Sequence, residues 1–277
     1  MAHATIDRNS VLPSFDNPPV EETAFSIQFA PISKFGIPHF GLYWEHIRNE
    51  FGRFEVQPPI SREIEQFETF ARQKTRIGLQ FVTEPDVRCW FLDESGNRLI
   101  QIQRDRFAYN WRRVTGEETY PRYPEARETI QTHWLRFLAF LESEDLDQPE
   151  VNQCEITYVN HIEIGSGWQN YAELNKVIAP WSGDRSGRFL RDPERANMEM
   201  RYLLPEKLGR LHISIVPVIR ARDTKEVLQM NLIARGAPKS SKVEDMLDWF
   251  DLGREWVVKG FTDITTQSMH KIWRRTS

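Results

Sequence analysis

The densest set of side chains with binding chemistry lies between Arg88 and Val114. Gln101, Gln103, Arg106, Asn110 and Arg112 combine amide donors and acceptors with fork-shaped guanidinium donors, a set suited to carboxylates, phosphates, base edges or exposed peptide backbone. The solvated outer face of an ordinary sheet carries the same residue types. A second candidate is Ser182-Gly183-Asp184-Arg185-Ser186-Gly187-Arg188. There, backbone amides at Gly183 and Gly187, with Arg185 and Arg188, could wrap an anion, although the stretch matches neither a P-loop nor a dinucleotide fingerprint. Gly165-Ser166-Gly167 is a smaller loop of the same kind.

Catalytic patterns are weaker. Arg127 and His133 share one expected helix and loosely match the Arg-to-His spacing of certain helical ribonucleases, but this helix should pack on a sheet rather than build a paired site in a bundle. His161 with Glu163 resembles the histidine and glutamate of zinc deaminases, without the required cysteine pair. His39 and His46 lie seven apart beside Glu45 and lack a clear third ligand. There is no GxSxG elbow and no HExxH helix. No catalytic residue, metal site or cofactor is therefore expected.

The hairpin set depends on the strands that carry it. Turns at Glu94-Ser95-Gly96-Asn97 and Arg104-Asp105 would fold Arg88 to Val114 into three antiparallel strands. That pairing puts Cys89, Phe91, Ile100, Ile102, Phe107, Tyr109 and Trp111 on one face and the amide and guanidinium groups on the other. The helix that follows Tyr120-Pro121-Arg122-Tyr123-Pro124 carries a stripe of Ile130, Trp134, Phe137, Leu138 and Leu141, which would cover the apolar face.

Upstream, alternation predicts a strand from Glu22 to Ala30, and helical spacing of Phe40, Tyr43, Trp44 and Ile47 predicts a helix from Pro38 to Phe51. Downstream, an acidic connector (Glu142 to Glu150) leads to a strand from Cys154 to Ile164, with Tyr158 in the core and Asn160 bonded to a nearby turn. A short helical piece (Tyr171 to Ile178) and a long loop (Pro180 to Pro193) come next. Strands near Ala196 to Leu204, Arg210 to Ile219 and Glu226 to Arg235 lead to a long helix from Ser240 or Ser241 and a short one near Thr265 or Thr266.

The two halves share an order of strand, helix, antiparallel strands and long helix. The expected fold class is α+β, built as two pseudo-repeats in which a curved sheet grips a helix, with the TATA-binding-protein-like and helix-grip folds as analogies. The boundaries are a flexible arm over 1–16, an N-terminal module over 17–150 and a C-terminal module over 151–277. Whether the two sheets join is open at this level.

Composition narrows the function classes. The chain has 277 residues, 36 basic and 40 acidic groups and a net charge of −4, so it has no general attraction for a polyanion. The charge is uneven: residues 1–164 carry 17 basic against 26 acidic side chains, and residues 165–277 carry 19 against 14. Cys89 and Cys154 sit in apolar, strand-like runs and read as buried reduced thiols of a cytoplasmic protein. Met1 to Ser10 lacks the basic-then-apolar pattern of a secretory signal. The best apolar stretch, Trp134 to Leu141, is short and interrupted by Arg136, so no membrane span is expected. Of the nine tryptophans, Trp44, Trp134 and Trp256 fall in helical stripes and Trp111 on the inward hairpin face, with Trp168 and Trp181 in loop-like surroundings.

At Asn17-Pro18-Pro19-Val20-Glu21-Glu22, Gln101 to Phe107, Tyr109-Asn110-Trp111-Arg112, Tyr120-Pro121-Arg122-Tyr123 and Thr157-Tyr158-Val159-Asn160, the chain resembles a family of sporadically distributed, uncharacterised prokaryotic proteins of similar length. The resemblance spans nearly the whole chain. It implies no activity, cofactor or catalytic residue, and such a distribution resembles that of mobile defence or toxin–antitoxin genes.

The leading expectation is a non-catalytic cytoplasmic interaction protein that binds a protein partner, antitoxin-like or defence-accessory in kind. The alternative is nucleic-acid binding through Arg185, Arg188, Arg191 and Arg195 with Lys271, Arg274 and Arg275. A third reading is an enzyme acting on a small anionic substrate, with a pocket near Asp184 or Arg188.

Overall fold

A computed structural model describes residues 11–67, 86–183, 187 and 189–277. Its centre is one nine-stranded sheet in which every neighbouring pair is antiparallel, in the order β2-β3-β4-β5-β1-β6-β9-β8-β7. The strands are β1 (Val20–Phe29), β2 (Arg53–Gln57), β3 (Arg88–Leu92), β4 (Arg98–Gln103) and β5 (Arg106–Arg112). They continue with β6 (Val151–Glu163), β7 (Met198–Leu203), β8 (Arg210–Ile219) and β9 (Glu226–Gly236). β1 and β6 lie side by side at the middle, so the two halves meet in one continuous sheet. The architecture is α+β.

Among the described residues, four α-helices accompany the sheet, α1 (Ile37–Ile47), α2 (Tyr123–Ser143), α3 (Val243–Ile264) and α4 (Gln267–Ile272), with short 3-10 turns at Tyr171–Lys176 and Pro205–Lys207. Pro38 fits the first turn of α1, where its missing N–H has no helical partner. The Nδ1 of His39 accepts from the Gly36 N–H at 3.0 Å and caps that turn. α2 lays Ile130, Trp134, Phe137 and Leu141 against the apolar face of β1 and β5, where Phe137 meets the rings of Phe29, Phe107 and Trp134. α3 crosses β6, β9 and β8. It comes close because Gly253 and Gly260 leave room: an added Cβ would stand 2.8 Å from Ile156 and 2.6 Å from Leu211. The two long helices are tied by Asp251, which accepts from Tyr123 Oη at 2.6 Å and from Arg127 at 3.0 and 3.1 Å.

The three hairpin strands form in the expected pairing, and the inward residues are buried as alternation requires. β2 and its turn to the sheet edge had no counterpart in the sequence pattern. Of the expected N-terminal arm, Phe15 is buried, pairs with Arg275 and packs edge-on against Phe261, so order begins before Asn17. Trp168 is a core residue and Trp181 packs against the core. Asn160 donates to the Met230 carbonyl on β9, at 3.2 Å, rather than to a turn. Both cysteines are buried free thiols, and among the described residues no helix is long and apolar enough to cross a membrane.

Candidate functional site

Alternation sends every second side chain of the sheet away from the helices. On that second face, strand register lines up Gln103 with Arg106, Arg106 with Gln28 and Gln28 with Gln153. Two residues on, Glu155 stands opposite Arg235, which stands opposite Arg210. The result is a polar row that crosses the sheet from β4 to β8 with one two-residue step along β6.

Residues 58–67, which leave β2, lie along this row without regular secondary structure. The Ile60 N–H donates to Gln103 Oε1 at 2.8 Å, and Gln103 Nε2 donates back to the Ile60 carbonyl at 3.0 Å. The Glu65 N–H donates to Gln153 Oε1 at 2.9 Å, and Gln153 Nε2 donates to the Glu63 carbonyl. Between them, the Glu63 N–H donates to Gln28 Oε1 at 3.3 Å and Arg106 donates to the Ser61 carbonyl at 3.3 Å. Arg88 holds the Pro58 carbonyl at 3.1 Å. The geometry is that of an extended chain: five residues reach about 16 Å, and the three strand spacings from β4 to β6 span about 14 Å.

The far end is ionic. Glu65 is paired with Arg210 and, at 2.5 Å, with His212, while Glu63 is paired with Arg235. Arg235 also holds Glu155 at 2.5 Å. Burial alone would raise the Glu65 carboxyl, but hydrogen bonds from His212 and Arg210 outweigh it and keep that group below the usual glutamate range. Burial likewise opposes the charge of Arg235, yet Glu155 and Glu63 more than compensate and raise it. Arg106, buried beneath the segment, is held below its ordinary value by the same loss of water. Arg210 Nη2 donates to the Gln66 carbonyl at 2.8 Å, and its guanidinium stands 4.7 Å from the centre of the Phe67 ring.

The five hairpin candidates therefore divide. Gln103 and Arg106 hold the crossing segment. Gln101 and Asn110 close a chain of their own, in which Trp90 and Arg88 donate to Gln101, Gln101 to Asn110 and Asn110 to Glu22. Burial raises the Glu22 carboxyl against the pull of Asn110 and Arg112. Arg112 donates to the Gly96 carbonyl at 3.1 Å and stands over the Trp90 ring. Gln101, Gln103, Arg106 and Asn110 are buried, so this face is covered by the chain itself rather than open to solvent. Gln28, Gln153, Arg210, His212 and Arg235 belong to the same row and escaped the sequence pattern, although Gln28 already alternated with Phe25, Ile27 and Phe29.

The remaining candidates are dispersed. Gly183 packs on Asn175 and Gly187 takes a positive φ of 70° in open space, while Arg185 and Arg188 lie outside the described residues. Arg195 donates to the Pro217 carbonyl, and Arg275 donates to Ser277 at the chain end. Arg127 is an interhelical ion pair. His133 is buried between the rings of Phe51 and Tyr109, and burial lowers it to about 4. His161 faces Gln229 at 3.1 Å, whereas Glu163 turns to Arg220. Among the described residues no cluster of three or more His, Cys, Asp or Glu side chains could hold a metal ion. A cavity of about 120 Å³ lies between α2, α3 and residues 13–18, where the Tyr120 and Tyr158 hydroxyls bond each other at 3.2 Å. Burial raises both phenols, which sets them against proton transfer near neutrality. No protein-family model, curated protein or solved structure matches this chain, and the reading of function rests on its own residues.

Proposed function

We propose that this chain is a non-catalytic binding protein that takes an extended segment of a protein partner on the polar face of its sheet. The observation that supports this reading is the pair of two-pronged amide contacts by which Gln103 and Gln153 hold the backbone of residues 60–65. An amide side chain that accepts from an N–H and donates to a nearby carbonyl recognises main chain, as a sheet edge does when a peptide adds to it as a strand. Here that chemistry stands on a sheet face.

The reading includes two pseudo-repeats. Each half opens on a central strand, meanders from the outer edge inward and closes with a long helix, and the TATA-binding-protein-like or helix-grip-like analogy rests on that shared order. Membership of the uncharacterised prokaryotic family belongs to the same proposal, and an antitoxin-like or defence-accessory role in the cytoplasm is the setting it brings.

The test is to display a library of extended peptides to the full chain, with RNA and DNA in parallel. Peptides retained by the native chain and lost from a Gln103→Ala/Gln153→Ala variant of unchanged fold would sustain the reading. Retention of nucleic acid alone, weakening steeply as salt rises, would overturn it in favour of the basic C-terminal half.

A further inference from the structure

The segment on the polar row behaves as a ligand does. It has no regular structure, and its two isoleucines are exposed, Ile60 by 37% and Ile64 by 50%. What holds it is a line of contacts to its backbone plus two carboxylates, Glu63 and Glu65, two residues apart. In an extended chain residues i and i+2 face the same way. Both carboxylates therefore reach the basic groups of β8 and β9, where Arg210 and His212 hold one and Arg235 the other. Arg62 points toward Asp105 at 3.7 Å. Arg235 also has a carboxylate from the sheet within reach, that of Glu155.

We infer that residues 60–66 are a tethered occupant of this site, and that its ligand in trans is an extended segment of a partner protein carrying two carboxylates two residues apart. This rests on the peptide-face reading above and adds to it the charge of the ligand and the competitor that guards the site. A tether of a few residues presents its own segment at an effective concentration on the order of millimolar. The apparent affinity of any incoming segment falls by the fraction of molecules in which the row is free. The cis segment thus sets a threshold: the row stays closed to weakly matching peptides and opens to one that offers the same two carboxylates together with better contacts at the exposed positions, now held by Ile60 and Ile64.

The experiment uses two labelled peptides, one with the sequence of residues 58–66 and one in which both glutamates are glutamine. Each is titrated by fluorescence anisotropy into the full native chain and into two full-length variants. One variant carries Glu63→Gln and Glu65→Gln, which loosens the tether. The other has residues 60–66 replaced by glycine and serine, and circular dichroism checks that both remain folded. The expected result is that the acidic peptide binds the loosened chains about tenfold or more tighter than the native chain, and tighter than the amide peptide by a similar factor of about ten. Equal affinity for the native and loosened chains would overturn the competition. Equal affinity for the two peptides would overturn the charge requirement while leaving the backbone reading in place. No binding of either peptide to either folded variant would overturn both this inference and the reading beneath it.

Discussion

The sheet covers its two faces by different physical means. On one, α2 and α3 press a continuous layer of Phe29, Phe107, Trp134, Phe137 and Phe250 onto the strands, all of them almost wholly withdrawn from water. On the other, a stretch of irregular chain is held by glutamines, arginines and a histidine, with its own isoleucines exposed. Burying a large side chain contributes about 1.5–3 kcal/mol, whereas a neutral hydrogen bond contributes about 1 kcal/mol net and ordering each residue costs about 1–2 kcal/mol. The helix layer is therefore committed, while the polar layer stands nearer to balance, as the proposed exchange requires. The sharpest way to break this contrast is in the core. Phe137→Ala removes a ring that touches Phe29, Phe35, Tyr43, Phe107 and Trp134, and should lower unfolding stability by about 3–5 kcal/mol in chemical denaturation. A loss near that of a single polar-face truncation would mean that the two layers are alike.

The next effect also lies in the helix layer and depends on pH. His133 titrates near 4 in the folded chain because burial disfavours its charged form, with Glu50 only partly offsetting this. Its ordinary value is 6.5. Below that, the unfolded chain binds a proton that the folded chain refuses, so stability falls from pH 6.5 toward 4 and the loss is complete at the lower value. The expected size is roughly 3 kcal/mol at most. Denaturation at pH 7, 5.5 and 4 should show this slope in the native chain and lose much of it in His133→Gln. An unchanged slope in the variant would move the acid sensitivity elsewhere.

The two layers were not equally legible in the sequence. The apolar one announces itself: alternation in β5 and the spacing of Ile130, Trp134, Phe137 and Leu141 in α2 place those residues in the core, and both elements form there. The hairpin pairing followed from two turns and one period. The polar layer has no comparable signal: Ile60, Ile64 and Phe67 stand at helical spacing although residues 58–67 form no helix, and β2 is a short edge strand with Phe54 and Val56 exposed. Gln103 and Arg106 stood out as binding chemistry, but what they bind depends on strand order. Gln28, Gln153 and Arg210 fall into one row with Gln103 only once β1 and β6 pair at the centre and β8 follows β9. That long-range pairing joins residues more than a hundred positions apart, which local periodicity does not encode.

A smaller effect belongs to the polar layer's ionic end. Hydrogen bonds from His212 and Arg210 overcome the burial of Glu65 and hold its carboxyl below the ordinary 4.5, while Arg235 stands 3.9 Å away and Glu63 and Glu155 share that arginine. A depressed carboxyl stabilises the folded arrangement above its ordinary value, and the contribution is lost as pH falls through the folded one. Amide exchange in residues 60–66 should therefore quicken, relative to the core strands, when the native chain is taken from pH 6 to below 4.5 and the rates are corrected for intrinsic exchange. In Glu65→Gln the extra protection should already be missing at pH 6. Protection of this segment that tracks the core at every pH would show that it opens only when the whole sheet unfolds.

A modest change in global stability, and the most telling local one, is expected at Gln103. Truncation to alanine removes both contacts to Ile60 and leaves the Ile60 N–H and carbonyl free to turn to water, because that residue is exposed. The same truncation removes the Gln103 donor from Asp105 Oδ1, at 2.9 Å, and leaves that buried carboxylate with Arg62 standing 3.7 Å from its other oxygen. Ile60 can turn to water but the buried Asp105 oxygen cannot, so the cost to unfolding should be about 1–3 kcal/mol. The local consequence is larger in kind: the anchor nearest β2 is gone while the ionic anchor at β8 and β9 remains. Exchange should accelerate at Ile60 and Ser61 before Glu65, giving a gradient along the row. If instead residues 60–66 all loosen together, the segment is one cooperative unit, and displacing it requires breaking the amide and ionic contacts at once.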